Sequence, residues 1–320
     1  MKSFVILSLL LTAAFAHGQT RVHRVGVLVH EMDRSQSQAI KGIGVVLKQL
    51  GHQERKNLIF ETRNAKGNPG ALKTAASELA AQKVDMIFTA GTRATLAATA
   101  ATRETPIVFV HRGDPVRSGL VKSLTDPTRN VTGVAAYAAD TTEKRLALFK
   151  EIMPALGKVY VFFDANSSSS RDNFALAESA AKKLGLLISA HAIKSADELR
   201  TTLGSLSPEA DAAMFQVADD LIESEAEFIF ATARQKKLPT MFNEESWAIG
   251  GATAAYGPSY LEMGRQAGRI IDQILKGKTP ASLPIVRASK FDLTINYRAA
   301  NYIGLQLPRE LLKKADKVIR

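Results

Sequence analysis

Short apolar runs alternate along the chain with longer segments whose apolar residues recur every three or four positions. Arg24 to Val29 (RVGVLV) is a β-branched run that reads as a strand. Asp33 with Gln36 three residues on is a capping box, which opens a helix. Ile40, Ile43, Leu47 and Leu50 fall on one face of that helix, and Gly51 ends it. Asn57 to Thr62 predicts a second strand. Asn68-Pro69 starts a helix with proline at its first position and Leu72, Ala76 and Leu79 as its buried stripe. Strands over 85–89 and 107–110 flank an alanine-rich helix starting at Thr92, which is placed to act as its N-cap.

The alternation restarts after Asn130-Val131-Thr132-Gly133. Asp140 and Glu143 mark a helix start, and Lys158 to Phe163 is the next strand. Ser167 to Ser170 reads as a loop before a helix. Ser195 with Glu198 is a second capping box, followed by Leu199, Leu203 and Leu206. Asp211 to Val217 is a strand, and Asp220 with Glu223 opens a helix carrying Ile222, Ile229 and Phe230. Two such series predict an α/β protein of two doubly wound parallel-sheet lobes with helices on both faces.

Composition adds compartment and exclusions. Met1-Lys2, the apolar stretch from Phe4 to Phe15 and the small residues of Ala14-Phe15-Ala16 follow the order of a secretory signal peptide, cleaved near Ala16 or Gly18. No later apolar run has the length of a membrane span. The chain has no cysteine, which excludes thiol catalysis, cysteine metal sites and a lipid-modified cysteine anchor. An exported protein without a lipid anchor is expected in a Gram-negative periplasm. The net charge of +11 is scattered rather than clustered, so no nucleic-acid partner is expected.

Known chemical motifs are missing. Gly42-Ile43-Gly44 lies inside a predicted helix and does not follow a strand as a dinucleotide-binding turn does. There is no phosphate-binding GxxxxGK[ST] and no GxSxG elbow. The six histidines lack metal-ligand spacing. No cofactor, metal or catalytic residue is implied, and the chain is not expected to be an enzyme.

In open parallel sheets, ligands bind beyond the carboxyl ends of the strands. The loops to inspect are therefore His30-Glu31, 90–93, 111–115, 135–137, 164–166, Ala218-Asp219, 243–247 and 254–257. If two lobes face each other, these loops line one cleft between them.

Specific residues now carry more than the pattern. Val84 to Gly133 contains GDPV and ends in NVTGV, Gly250 to Pro258 reads GGATAAYGP, and the C-terminal stretch contains LPIVRASKFDLTIN. In this order and spacing the chain resembles the ABC-transporter substrate-binding proteins of type I periplasmic fold, the family that includes tryptophan- and phenylalanine-binding members. The resemblance covers essentially the whole mature chain. It implies two hinged lobes that close, as a monomer, on one small-molecule ligand and present it to a membrane permease. It implies lobes of residues 19–136 plus about 257–285 and 137–256 plus about 286–320, after a signal peptide over 1–18. This chain carries Ala135 and Ala255 where the family often has serine, and Gly91-Thr92-Arg93 where it often has GTP. Each serine-to-alanine change removes a hydroxyl able to bind a carboxylate or ammonium group, so the resemblance does not fix the ligand. Two other roles remain open: a periplasmic sensor that signals through a membrane receptor, and an exported enzyme.

The candidate ligand-binding residues are His30, Thr92, Arg93, Asp114, Ala135, Tyr137, Asp219, Trp247 and Tyr256. Thr92 stands at a helix start suited to an anion, with Gly91 allowing close approach. Arg93 offers a forked partner for a carboxylate. Asp114 is either a turn residue or a contact to a ligand ammonium or the opposite lobe. Asp219 is expected to be a free charge partner because Asp220 can cap the helix that follows. Tyr137, Trp247 and Tyr256 are either aromatic walls or ordinary packing. Arg93 and Arg112 point to an anionic group on the ligand, and the rings to a flat apolar part. Together these favour an amino acid, hydrophobic or aromatic, or a related small carboxylate.

Overall fold

The computed structural model describes residues 21–123, 130–137 and 141–320. The first series forms strands β1 (His23–Val29), β2 (Leu58–Asn64), β3 (Met86–Ala90), β4 (Ile107–His111) and β5 (Val131–Ala135). Between them run helices α1 (Arg34–Gln49), α2 (Pro69–Ala81) and α3 (Thr92–Ala101). The second series comprises α4 (Thr142–Ile152), β6 (Lys158–Asp164), α5 (Ser168–Lys183), β7 (Leu187–Ile193), α6 (Ala196–Ser205), β8 (Ala212–Phe215), α7 (Asp220–Ser224) and α8 (Ala226–Gln235). It continues through β9 (Thr240–Phe242), α9 (Glu245–Gly250) and β10 (Ala254–Pro258). Then come α10 (Tyr260–Leu275), β11 (Val286–Arg287), β12 (Phe291–Asn296), α11 (Tyr297–Tyr302), α12 (Arg309–Lys314) and β13 (Lys317–Ile319).

The strands build two sheets, in the orders β11-β5-β4-β3-β1-β2 and β13-β12-β10-β9-β8-β6-β7. Each is doubly wound: the central strands are buried on both faces, while the edge strands β2 and β7 are partly exposed. In β1, Val25, Val27 and Val29 join one core cluster of the first sheet while Leu28 joins the other. In β6, Val159, Val161 and Phe163 face one cluster of the second sheet, and Tyr160 and Phe162 the other. That is the period-two geometry of a strand between two helical layers.

The chain passes between the sheets three times: after β5, after β10 and after β11. The last passage explains a departure from all-parallel order. β11 runs parallel to β5. Its three-residue link, 288–290, therefore leaves the first sheet at the carboxyl end and enters the second from the same side. β12 must then run antiparallel to β10, as observed.

The expected elements are present, with local corrections. Asp33 and Gln36 form the full capping box on α1. Leu50, however, is exposed, and the buried face of α1 is Ala39, Gly42, Ile43, Val46 and Leu47. Ser167 caps α5, so Ser168 to Ser170 belong to its first turn rather than to a loop. The single helix expected after β8 is two, divided at Glu225. Asp140 lies outside the described residues.

The two glycines of α1 have different roles. A Cβ on Gly42 would stand 2.1 Å from the carbonyl oxygen of Leu261, and one on Gly264 would stand 2.0 Å from that of Ala39. These positions let α10 lie backbone to backbone against α1. Gly44 faces open space. We expect Gly42→Ala to destabilise the protein by roughly 1–3 kcal/mol through overpacking, and Gly44→Ala to leave it unchanged or raise stability by up to about 1 kcal/mol. Urea unfolding of the pair checks this; equal effects would contradict the helix contact.

Candidate ligand cleft

The carboxyl ends of the two sets of strands face one another, and the Arg112 side chain reaches between them. Arg112 follows β4 of the first sheet. Its Nη2 donates to Glu223 Oε2 at 2.7 Å and its Nη1 to Glu244 Oε1 at 3.1 Å. Glu223 lies on α7 after β8, and Glu244 immediately precedes α9 after β9, so both acceptors belong to the opposite sheet. Ser35 of α1 and Tyr260 of α10 also reach Glu244, at 3.3 and 2.9 Å.

Behind Glu223 the network continues into the second sheet. Gln216 Nε2 donates to Glu223 Oε1 at 3.3 Å. Arg145 of α4 donates to the Gln216 carbonyl at 2.6 Å and to its Oε1 at 3.3 Å, and lies 4.4 Å over the Phe215 ring. Two cations and two carboxylates are thus held in one buried cluster. Glu223 and then Glu244 raise the Arg112 guanidinium well above its ordinary value, against a desolvation cost. Burial pushes the Glu223 carboxyl up, and Arg112 draws it back. Burial lowers Arg145 to about 9, with Glu223 opposing. An ion pair taken out of water persists only where other hydrogen bonds complete it; Gln216, Tyr260 and Ser35 supply them here.

At the rim, Arg117 pairs with Asp172 of α5, and Arg34 approaches Glu245 at 3.6 Å. These pairs are more exposed and worth little individually.

The expected site residues are distributed unevenly around this bridge. His30 and Arg93 meet at 3.2 Å, but they line the mouth of a groove of about 700 Å³ between α2 and α3. Gly91, with φ 86°, is the N-cap of α3 and Thr92 its first residue, which corrects the expectation that Thr92 caps. Thr95 holds the turn instead, bonding the Gly91 carbonyl at 2.8 Å. Asp114 accepts from Val116 and Arg117 backbone N–H groups, the turn role weighed for it. Ala135 is the fully buried last residue of β5. Tyr137, two residues on, has φ 50°, and the Arg287 guanidinium lies 4.1 Å over its ring.

Asp219 is the clearest correction. It, not Asp220, caps α7, accepting from Leu221 and Ile222 N–H at 2.9 and 3.1 Å. It also accepts from Asp164 N–H at 2.7 Å and from the Ser170 hydroxyl. Its carboxylate is consumed in joining β6, α5 and α7, while Asp220 is the exposed member of the pair. Trp247 packs near Phe230 and Phe242, at 6.5 and 6.1 Å between ring centres. Tyr256 stacks on Phe291 at 6.0 Å. Glu223, Glu244, Arg145 and Gln216 escaped the reading of the sequence as site residues. The available signal was an arginine on one set of strand ends and glutamates on the other.

Facing sheets, three interlobe passages and a charged bridge at the strand ends define a two-lobed solute-binding protein of the type I periplasmic fold. The family described as ABC transporter substrate binding protein matches residues 24–319, and the chain belongs to it. A tyrosine-binding protein of Clostridioides difficile (strain R20291) is 28% identical over 272 residues, 85% of this chain and 78% of that one. A conserved domain protein of Vibrio cholerae superposes with a TM-score of 0.78 at 28% identity, covering 93% of this chain and 100% of that one. A Streptococcus pneumoniae ABC domain in complex with L-Trp gives the same TM-score at 25% identity, with 93% and 100% covered. The family is one of solute-binding proteins rather than enzymes.

His111 offers a test of this region. Its Nε2 lies 2.9 Å from the Ser118 hydroxyl. Burial, then the neighbouring Arg112 charge, push its pKa down to about 4, with Asp114 opposing. A base whose folded value lies below its unfolded 6.5 gives stability that is complete above pH 6.5 and is lost as pH falls toward 4. The loss is at most roughly 3 kcal/mol. We expect His111→Gln to show a shallower fall in urea-unfolding stability between pH 7 and pH 4.5 than the parent. Identical slopes would contradict a buried, neutral His111.

Proposed function

We propose that the protein is the periplasmic solute-binding component of an ABC importer, closing two lobes on an amino acid with a hydrophobic or aromatic side chain. The observation that carries this reading is the bridge from Arg112 to Glu223 and Glu244 across the strand ends. The cleft already has cationic and anionic groups on opposite walls, as an amino acid requires. The tyrosine-binding and L-Trp-bound relatives support the same class. Closure needs a ligand that touches both lobes, because a solute with equal affinity for open and closed forms shifts nothing. The lobes are taken as the two sheets with their helices, so one chain supplies both walls and a monomer suffices. Export is proposed from the leader-like residues 1–18, which lie outside the described residues. No helix among the described residues is long and apolar enough to cross a membrane. The partner for the closed form is a membrane permease.

A screen of the twenty amino acids by thermal shift and calorimetry tests the reading. At a hundredfold excess over Kd, a bound ligand adds about 3 kcal/mol of stability. We expect a saturable rise in melting temperature with one or a few aromatic or large aliphatic amino acids. No rise with any of them, in protein unfolded and refolded to strip bound solute, would overturn it.

A further inference from the structure

The cluster holds more acceptors than Arg112 uses. Asn243, 4% exposed, turns its Nδ2 toward Glu223 Oε1 at 3.5 Å, and its buried Oδ1 has no hydrogen-bond partner among the described residues. Glu223, Glu244 and this amide oxygen are therefore three acceptors gathered where β8 and β9 end. The carboxylates are fixed from behind by Gln216 and from the side by Tyr260 and Ser35. The cation seated among them is anchored differently. Arg112 sits on a loop of the opposite lobe, with its side chain 31% exposed against 11% and 8% for Glu223 and Glu244.

Resting on the amino-acid reading above, we propose that Glu223, Glu244 and the Asn243 amide oxygen form the seat of the ligand's ammonium group. Arg112 occupies that seat in the structure and pairs with the ligand's carboxylate when a ligand enters. The hydrogen bonds of the cluster favour this pairing. Without Arg112, Glu223 and Glu244 lose the cation they both accept from, and Arg112 loses its two closest carboxylate partners, at 2.7 and 3.1 Å. An amine alone would satisfy the glutamates and leave Arg112 unpaired. A carboxylic acid alone would satisfy Arg112 and leave the glutamates unpaired. Burying either charge without a partner is costly, so a zwitterionic head group is the one that gives both Arg112 and the glutamates a partner when the cleft closes. The guanidinium is thus an internal stand-in for the ammonium, and ligand entry exchanges one cation for another.

The test is calorimetry with head-group analogues, using whichever of L-tyrosine and L-tryptophan binds more tightly. The analogues are the des-amino acid, 3-(4-hydroxyphenyl)propanoate or indole-3-propanoate, and the amine, tyramine or tryptamine. Against the parent protein, both should bind at least tenfold more weakly than the amino acid. Glu223→Gln should weaken the amino acid at least tenfold while leaving the des-amino acid within about twofold. Arg112→Ala should weaken the amino acid and strengthen the amine, since a competing cation has gone. The analogue series on the parent protein does not depend on either variant folding. The assignment is overturned if the des-amino acid binds within twofold of the amino acid, or if Glu223→Gln weakens all three ligands alike. In those cases the amino-acid reading stands, whereas that reading itself falls only if none of the twenty amino acids of the screen binds.

Discussion

Four charges withdrawn from water, Arg112 and Arg145 against Glu223 and Glu244, hold the two halves of this molecule in register. Such a cluster is a poor source of net stability, since desolvation offsets most of the attraction. Its value lies in selectivity between arrangements. Arg112 and the glutamates belong to different sheets, so the pairing is complete only when the strand ends approach. Removing one member strands the others in a low-dielectric setting. The cluster therefore ties the electrostatics of the cleft to the relative position of the lobes.

The fold places these groups through simple consequences of sequence. Runs apolar on both faces become central parallel strands, and parallel strands direct their carboxyl ends to one edge. Each of the three passages between sheets leaves from that edge, which keeps the cleft and the connections side by side. α10 returns the chain to the first lobe, and its packing on α1 through Gly42 and Gly264 sets Tyr260 beside Ser35 at the base of the cleft. The hydroxyls that complete Glu244 thus come from the helix pair that needs glycine to meet.

Much of this is legible in the sequence. Two α/β series, the capping box at Asp33, the cap at Ser195, and the loops after β4 and β9 that carry Arg112 and Glu244 all follow from periodicity and cap chemistry. The site was less legible, for identifiable reasons. Either aspartate of the 219–220 pair suits a cap; the choice depends on where β8 ends and whether Asp164 and Ser170 also need an acceptor, which are tertiary facts. Trp247 follows a predicted strand and falls in α9, yet nothing in the sequence shows that Phe230 and Phe242 lie beside it. Glu223 looks like an ordinary first-turn residue of a helix. Arg145 resembles a solvated helix position and is buried because α4 lies against the end of β8. Charge partners more than a hundred residues apart, such as Arg112 and Glu223, leave no trace in local spacing.

The central claim is that the lobes move together around a solute, and an interlobe distance tests it most directly. The chain has no cysteine, so Leu96→Cys on α3 and Ser169→Cys on α5, both exposed, can carry a single spin-label pair. The account predicts that a saturating amino acid ligand narrows the distance distribution between these labels and shifts it to shorter values. A distribution identical with and without bound amino acid, at concentrations where calorimetry shows full occupancy, would contradict it.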